Sequence, residues 1–306
     1  MKNYQDIQIS EVPTIKVGNE LLDNLFSSQG GMEHGTLLFL TGTSGAGKTT
    51  LCKKLQSLIE DSVSVFYSRE MMSQLVKKQT LKLEVNHRNA FITDCIEYPH
   101  FRDFMNMINS RNDVSLLIID SIQHVAADFV SSDKLSVEAS MKLVYKMLMD
   151  WKNQNNGIVI LIGQVTKEGD FQGANFLKHD ADAHIHMTFD KKKNIRTIET
   201  TKNRMGKLEK LYYEFVDSSE TLKFYSESEF ENKDQNIKFD DYLLKIVGEY
   251  FKSLDKKHKN YKVFMAEFNS FAIQIHKDHV NDLVGLSDYL GSIIAKIQEL
   301  VLKHGL

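Results

Sequence analysis

The octapeptide Gly42-Thr43-Ser44-Gly45-Ala46-Gly47-Lys48-Thr49 constrains this chain more than any other segment. It has the spacing G-x-x-x-x-G-K-[ST] and follows an apolar run, Leu37-Leu38-Phe39-Leu40. After it, Thr50 to Ile59 carries Leu51, Leu55, Leu58 and Ile59 on one helical face. The pattern predicts a buried strand, a glycine-rich bend and a helix. Glycines let the backbone turn so that successive N–H groups converge, and the helix N-terminus adds partial positive charge at the same place. Such a nest suits phosphate. Lys48 is placed to reach the outer phosphates of a nucleoside triphosphate, and the Thr49 hydroxyl to ligate Mg²⁺. The expected cradle runs through Gly42, Thr43, Ser44, Gly45, Ala46, Gly47, Lys48, Thr49 and Thr50.

Composition narrows the setting. A chain of 306 residues allows one large domain, or a large one with a small one. Hydrophobic content of 42% with 26% charged residues suits a soluble chain with a sizeable core. No apolar run approaches the roughly 20 residues of a membrane span. Met1 to Ser10 is polar and mixed in charge, unlike a secretory signal, so a cytoplasmic protein is expected. Cys52 and Cys95 are the only cysteines; they cannot build a cysteine zinc site and fit a reducing compartment. With a formal charge of −3, any nucleic acid must be met by a local basic strip.

Residues 1–225 alternate between strand and helix patterns, which predicts an α/β sheet. Val63 to Tyr67, Ala90 to Ile92, Leu116 to Ile119 and Ile158 to Ile162 read as strands; the fully apolar ones suit the middle of a parallel sheet. Helices are expected over Ser73 to Leu83, around Phe101, Phe104, Met105 and Ile108, and over Ser136 to Asn155. Ala183 to Tyr225 reads as short alternating strands, an antiparallel extension. Residues 226–240, with Glu227, Glu229, Glu231 and Asp234, read as a linker. Residues 241–306 read as a small helical segment, with stripes through Leu243, Val247, Tyr250 and Leu254, through Phe264, Phe268, Phe271 and Ile275, and through Leu290, Ile294, Ile297 and Val301.

Five further residues have a place in phosphate chemistry. Asp120 ends an apolar strand, so its carboxylate lies at the carboxyl edge of the sheet, where it can hold the hydration shell of Mg²⁺ against Thr49. Glu70 follows the strand Val65 to Tyr67 and can take a proton from an attacking water; a merely solvated carboxylate has the same sequence appearance. Gln164, just past Ile162, can bond a γ-phosphate or its water, or be solvated. Lys202 and Arg204 alternate along one strand face, an arrangement that repels unless an anion faces it or solvent screens it. His184 and His186 also share a face but lack a third ligand of the right kind.

Taken together, the segments resemble a known family. Gly42 to Thr49, Leu117-Ile118-Ile119-Asp120-Ser121-Ile122-Gln123, Gly163-Gln164-Val165-Thr166-Lys167-Glu168-Gly169 and Lys202-Asn203-Arg204-Met205-Gly206 resemble the ATPase core of the bacterial RadA/Sms recombination proteins. The likeness spans about residues 14–216. Ser68-Arg69-Glu70-Met71 looks closer to DnaB-type replicative helicases, a related branch of the RecA-like superfamily. The resemblance implies a RecA-like fold, ATP with Mg²⁺, and a homo-oligomer, expected as a hexameric ring, with nucleotide between neighbouring subunits. Lys48, Glu70 and Gln164 then match catalytic positions. Lys202 and Arg204 match cations that reach a neighbour's nucleotide, a role worth roughly 10³ to 10⁵ in rate. The loops at about 124–136 and 166–179 match segments that contact single-stranded DNA, where Lys167 and Lys178 would meet phosphates and Phe171 or Phe176 stack on bases.

The chain also departs from that pattern. The four-cysteine zinc module is missing, a helical segment stands where the family has a protease-like domain, Met205 replaces a usual Phe and Gln164 a usual His. The expected function is a DNA-dependent ATPase of recombination or repair, a single-strand translocase or branch-migration helicase. A DnaB-like replicative helicase, an ATP-gated annealing or recombinase filament, and a regulatory ATPase that binds protein remain as alternatives. Residues 241–306 are expected to meet replication or recombination partners or to form a ring collar.

Overall fold

In the computed structural model the apolar runs form the centre of one nine-stranded sheet. The structure describes residues 12–59, 62–81, 88–165, 175–216 and 221–231, with isolated helical positions at 262, 263, 266, 295, 299, 302 and 303. A short antiparallel pair, β1 (Thr14–Ile15) and β2 (Met32–Glu33), flanks α1 (Glu20–Phe26). Next come β3 (Leu37–Gly42), α2 (Lys48–Leu58), β4 (Val63–Ser68), α3 (Ser73–Leu81) and β5 (Ala90–Asp94). They are followed by α4 (Phe101–Asn109), β6 (Val114–Asp120), α5 (Ile122–Ser132), α6 (Val137–Asn155), β7 (Ile158–Ile162) and α7 (Asn175–Asp180). Four strands complete the sheet: β8 (Ala183–Asp190), β9 (Ile195–Asn203), β10 (Lys210–Val216) and β11 (Thr221–Tyr225).

The sheet order is β5-β4-β6-β7-β3-β8-β9-β10-β11. Pairing is parallel from β5 to β8 and antiparallel from β8 to β11, so the expected parallel centre with an antiparallel extension is what forms. Alternate residues of the strands enter two cores, as a period of two requires. Leu38, Leu40, Ile118 and Ile160 pack on one face with Leu22 and Leu25 of α1 and Leu51 and Leu55 of α2. Leu37, Phe39, Leu117 and Leu161 pack on the other with Phe104 of α4, Phe129 of α5 and Leu148 of α6. With both faces covered, the carboxyl edge of the parallel strands is where side chains from several strands can meet.

Two expected loops turn out helical. Residues 124–132, expected within a DNA-contacting loop, belong to α5, because Ile122, Val125, Ala126 and Phe129 recur at helical spacing and are all buried. Residues 227–231, expected within the linker, make a helical turn. Ser226 Oγ accepts from the Glu229 N–H at 3.3 Å, and Glu229 Oε2 accepts from the Ser226 N–H at 2.7 Å, a reciprocal cap. Phe230 stacks on Tyr212 with ring centroids 4.1 Å apart. The chain divides into two units, residues 1–230 and 231–306. The three expected hydrophobic stripes of the second unit lie outside the described residues.

The helix α6 shows how local chemistry sets an element. Ser136 caps its start by accepting from the Ala139 N–H at 3.2 Å, and Asn156, in the left-handed region at φ 49°, ends it. The next residue, Gly157, lies so close to Trp151 that an added Cβ would sit 2.4 Å from Cη2. Trp151 is fully buried and is the sole tryptophan. Gly157→Ala should therefore destabilise the first unit by about 1–3 kcal/mol. Urea unfolding followed by Trp151 fluorescence measures it, and an unshifted midpoint would contradict this packing.

Candidate active site

The glycine-rich loop is held against the antiparallel side of the sheet. Thr43 donates its N–H to Met187 O at 3.1 Å, and its hydroxyl oxygen accepts from the Phe189 N–H at 3.1 Å. A Cβ on Gly42 would stand 2.2 Å from Met187 O; one on Gly47, where φ is 96°, would stand 2.7 Å from Phe215 Cζ. No side chain fits at either position. Tyr213 donates its hydroxyl to Ala46 O from beneath. The Arg196 guanidinium lies 3.6 Å over the Phe189 ring and 5.0 Å from that of Phe215, backing the loop from β9.

On the cleft side, α2 begins with its two chemically active residues. Lys48 Nζ donates to Gly42 O at 2.8 Å and to Thr43 O at 3.3 Å, folded onto the loop it is expected to serve. Burial lowers its pKa, while Asp120 and Glu70 pull in the opposite direction. Thr49 Oγ1 donates to Asp120 Oδ2 at 2.8 Å, joining α2 to the end of β6. Asp120 is 1% exposed, and its carboxyl is pushed from 3.8 to about 6, first by burial and then by the charge of Glu70. The peptide from Asp120 to Ser121 is cis.

A cleft of about 310 Å³ opens between these groups. It is lined by the loop, Lys48, Thr49, Glu70, Asp120 and Gln164. Thr49 and Asp120 offer hard oxygen donors of the kind Mg²⁺ takes, and the Asp120 carboxyl, made harder to ionise by burial and by the nearby Glu70, marks a place where a cation is favourable. Among the described residues no group of three His, Cys, Asp or Glu could hold a metal unaided. The donor set thus fits Mg²⁺ completed by phosphate oxygens and water, the way that ion usually binds. His184 and His186 are occupied otherwise: each bonds Thr41 Oγ1 at 2.8 Å, and burial pulls His184 down to about 4.

Glu70 stands two residues beyond β4, across the cleft. Gln164 donates its side-chain amide to Glu70 Oε1. Gln164 is itself pinned by Gln123, which donates Nε2–H to Gln164 O at 2.9 Å and accepts from the Gln164 N–H at 3.2 Å. Arg69, next to Glu70, donates its N–H to Asp120 O at 2.8 Å and a guanidinium N–H to Pro99 O at 2.9 Å, and pairs with Asp128 of α5. The ends of β4, β6 and β7 are therefore tied at one point.

The remaining site expectations fall elsewhere. Arg204 follows β9 rather than lying on it, yet it and Lys202 meet at one turn. Arg204 Nη1 is 3.3 Å from Asp182 Oδ1, and Lys202 Nζ donates to Ala181 O at 2.6 Å and to His179 O. Neither lines the cleft of its own loop. Phe176 packs edge-on to Tyr145, with centroids 5.8 Å apart, and Lys142 Nζ lies 5.7 Å from its ring. Lys178 sits half-buried on α7. Lys167 and Phe171 lie outside the described residues. Sequence reasoning missed His124, the Arg69–Asp128 pair and the Arg196 stack. The position of His124 directly after Leu117 to Gln123, in the first turn of α5, was the signal for the first; the other two have no local signal.

Residues 32–167 match the family model described as an AAA domain. The chain is 29% identical over 208 residues to the DNA repair protein RadA of Campylobacter jejuni, covering 66% of this chain and 44% of that protein. It is 28% identical over 204 residues to the RadA of Rickettsia typhi (65% and 45%), and 26% over 191 residues to that of Aquifex aeolicus (62% and 41%). A KaiC-like protein of Pyrococcus horikoshii aligns with TM-score 0.58 and 19% identity over 70% of this chain and all of that one, a likeness of fold. The chain carries a RadA-like ATPase core of the RecA-like superfamily. It spans less than half the length of these RadA relatives.

Asp120 gives a pH test. With its native carboxyl near 6 and its unfolded one near 3.8, the folded chain keeps a proton that the unfolded chain has released. The associated stability is present below about 3.8 and is lost as pH rises through about 6, an effect on the order of 3 kcal/mol. Without Mg²⁺ or nucleotide, Asp120→Asn should raise the urea midpoint at pH 8, with the gain shrinking toward pH 5. A gain that stays constant across that range would contradict the assignment.

Proposed function

We propose that this RadA-like core is a DNA-dependent ATPase that moves on single-stranded DNA in recombination or repair, as a translocase or branch-migration helicase. It works as a homo-oligomeric ring, expected to be hexameric and cytoplasmic, with ATP at each seam between subunits. One observation carries the reading: among the described residues lining the cleft Lys48 is the only cation, while Lys202 and Arg204 stand together outside it. A developing transition-state charge then calls for cations from a neighbour, which Lys202 and Arg204 supply. The relatives named DNA repair proteins support the DNA substrate. No helix among the described residues is long and apolar enough to cross a membrane.

In this reading Mg²⁺-bound ATP supplies the γ-phosphoryl group and the charge compensation that travels with it. Lys48 exchanges the loop carbonyls for phosphate oxygens. Thr49 and Asp120 hold the cation's oxygen shell, and Glu70 orients the attacking water and accepts its proton at a carboxylate oxygen. Gln164 touches Glu70 and directly precedes the segment containing Lys167 and Phe171, so nucleotide state and DNA contact share a residue. Lys178 adds a backbone contact; Phe176, packed on Tyr145, would have to leave that contact to stack on a base. The unit from Glu231 onward serves partner proteins or forms a ring collar.

ATP hydrolysis with and without single-stranded DNA tests the proposal. Turnover should rise with DNA, and Glu70→Gln should lower it by about 10² to 10⁴ while leaving nucleotide binding intact. Turnover indifferent to both DNA and Glu70→Gln would refute the motor reading.

A further inference from the structure

The carboxylate assigned as general base has a second neighbour. His124 Nδ1 lies 3.2 Å from Glu70 Oε1 and 2.9 Å from Ser121 Oγ. The helix that carries it is fixed on its far side: Ile122, Val125, Ala126 and Phe129 are buried in the core, which turns His124 outward into the cleft rim. Ser121 Oγ and Glu70 Oε1 face the same ring nitrogen, Nδ1, so a single N–H is shared between them. Gln123, beside it, fixes Gln164, and Gln164 donates to the same Oε1. Both contacts on Glu70 thus fall on a single oxygen. They come from two anchored groups, one on α5 and one at the end of β7.

We propose that His124 is a positioning residue for Glu70, which rests on the assignment of Glu70 as general base. A flexible glutamate beyond the end of a strand has several rotamers, and misplacement of a base by about 1 Å can cost on the order of 10² in rate. Anchoring Oε1 between Gln164 and His124 selects one of them and leaves Oε2 to take the proton. His124 contacts neither the loop nor Thr49, so its effect should fall on the chemical step and not on nucleotide affinity.

The test is steady-state ATP hydrolysis by the full chain with single-stranded DNA, for His124→Ala, His124→Gln, Glu70→Gln and the double variant His124→Ala/Glu70→Gln. His124→Ala should lower kcat by about 10-fold to 100-fold with KM for ATP changed less than about twofold. His124→Gln, whose amide can donate to the same oxygen, should recover much of the loss. The double variant should be no slower than Glu70→Gln, because the two residues act as one unit. An unchanged kcat in His124→Ala, or losses that multiply in the double variant, would overturn the proposal while Glu70→Gln alone still reports on the base. If Glu70→Gln keeps full turnover, the assignment of the base fails instead. Circular dichroism and urea midpoints of the variants, expected to match those of the parent chain because His124 is 44% exposed, show whether a loss comes from misfolding.

Discussion

The tight seating of the glycine loop on strand β8 and on Phe215 governs the rest of this molecule. Gly42 and Gly47 leave no room for a Cβ against Met187 O and the Phe215 ring, and Thr43 exchanges two hydrogen bonds with β8. The loop is thereby shaped before any ligand arrives. A preformed nest of N–H groups costs little to organise when phosphate binds, which is where such sites derive their affinity. The antiparallel extension is the platform on which the loop rests. Tyr213, Phe215 and the Arg196–Phe189 stack all belong to it.

Across the cleft, the charged side chains are each held by groups of the protein. Lys48 is turned back on its own loop, the Asp120 carboxyl is pushed up to about 6 by burial and by Glu70, and Glu70 meets Gln164 and His124. The ends of β4, β6 and β7 are joined by side chains, through Arg69–Asp128 and the Gln123–Gln164 amide pair. The proposed link between hydrolysis and DNA contact would run through these ties.

Much of this was legible in the sequence, for specific reasons. Leu37 to Leu40, Leu116 to Ile119 and Ile158 to Ile162 are continuous apolar runs, and the structure puts all three at the centre of the parallel sheet. The loop, Thr49 and Asp120 meet because strand–loop–helix geometry and an apolar strand ending in Asp allow few other arrangements. The α5 helix was missed because a loop inferred by likeness outweighed the spacing of Ile122, Val125, Ala126 and Phe129. Lys202 and Arg204 were expected on one strand face; instead they converge on the turn around Asp182 because Arg204 lies past the end of β9. His124 meeting Glu70 depends on tertiary packing, and no local pattern reports a contact between residues so far apart in the chain.

The central claim is that each active site is shared: the cradle from one subunit, the cation pair from the next. Mixing two inactive variants tests it most directly. Lys48→Ala lacks the cradle lysine but keeps Arg204, and Arg204→Ala has the reverse defect. Mixed in equal amounts with ATP and single-stranded DNA, they should recover a substantial part of the parent hydrolysis rate, since some seams then join an intact cradle to an intact cation pair. A mixture no more active than the two variants assayed separately, under conditions where they co-assemble, would contradict the shared site.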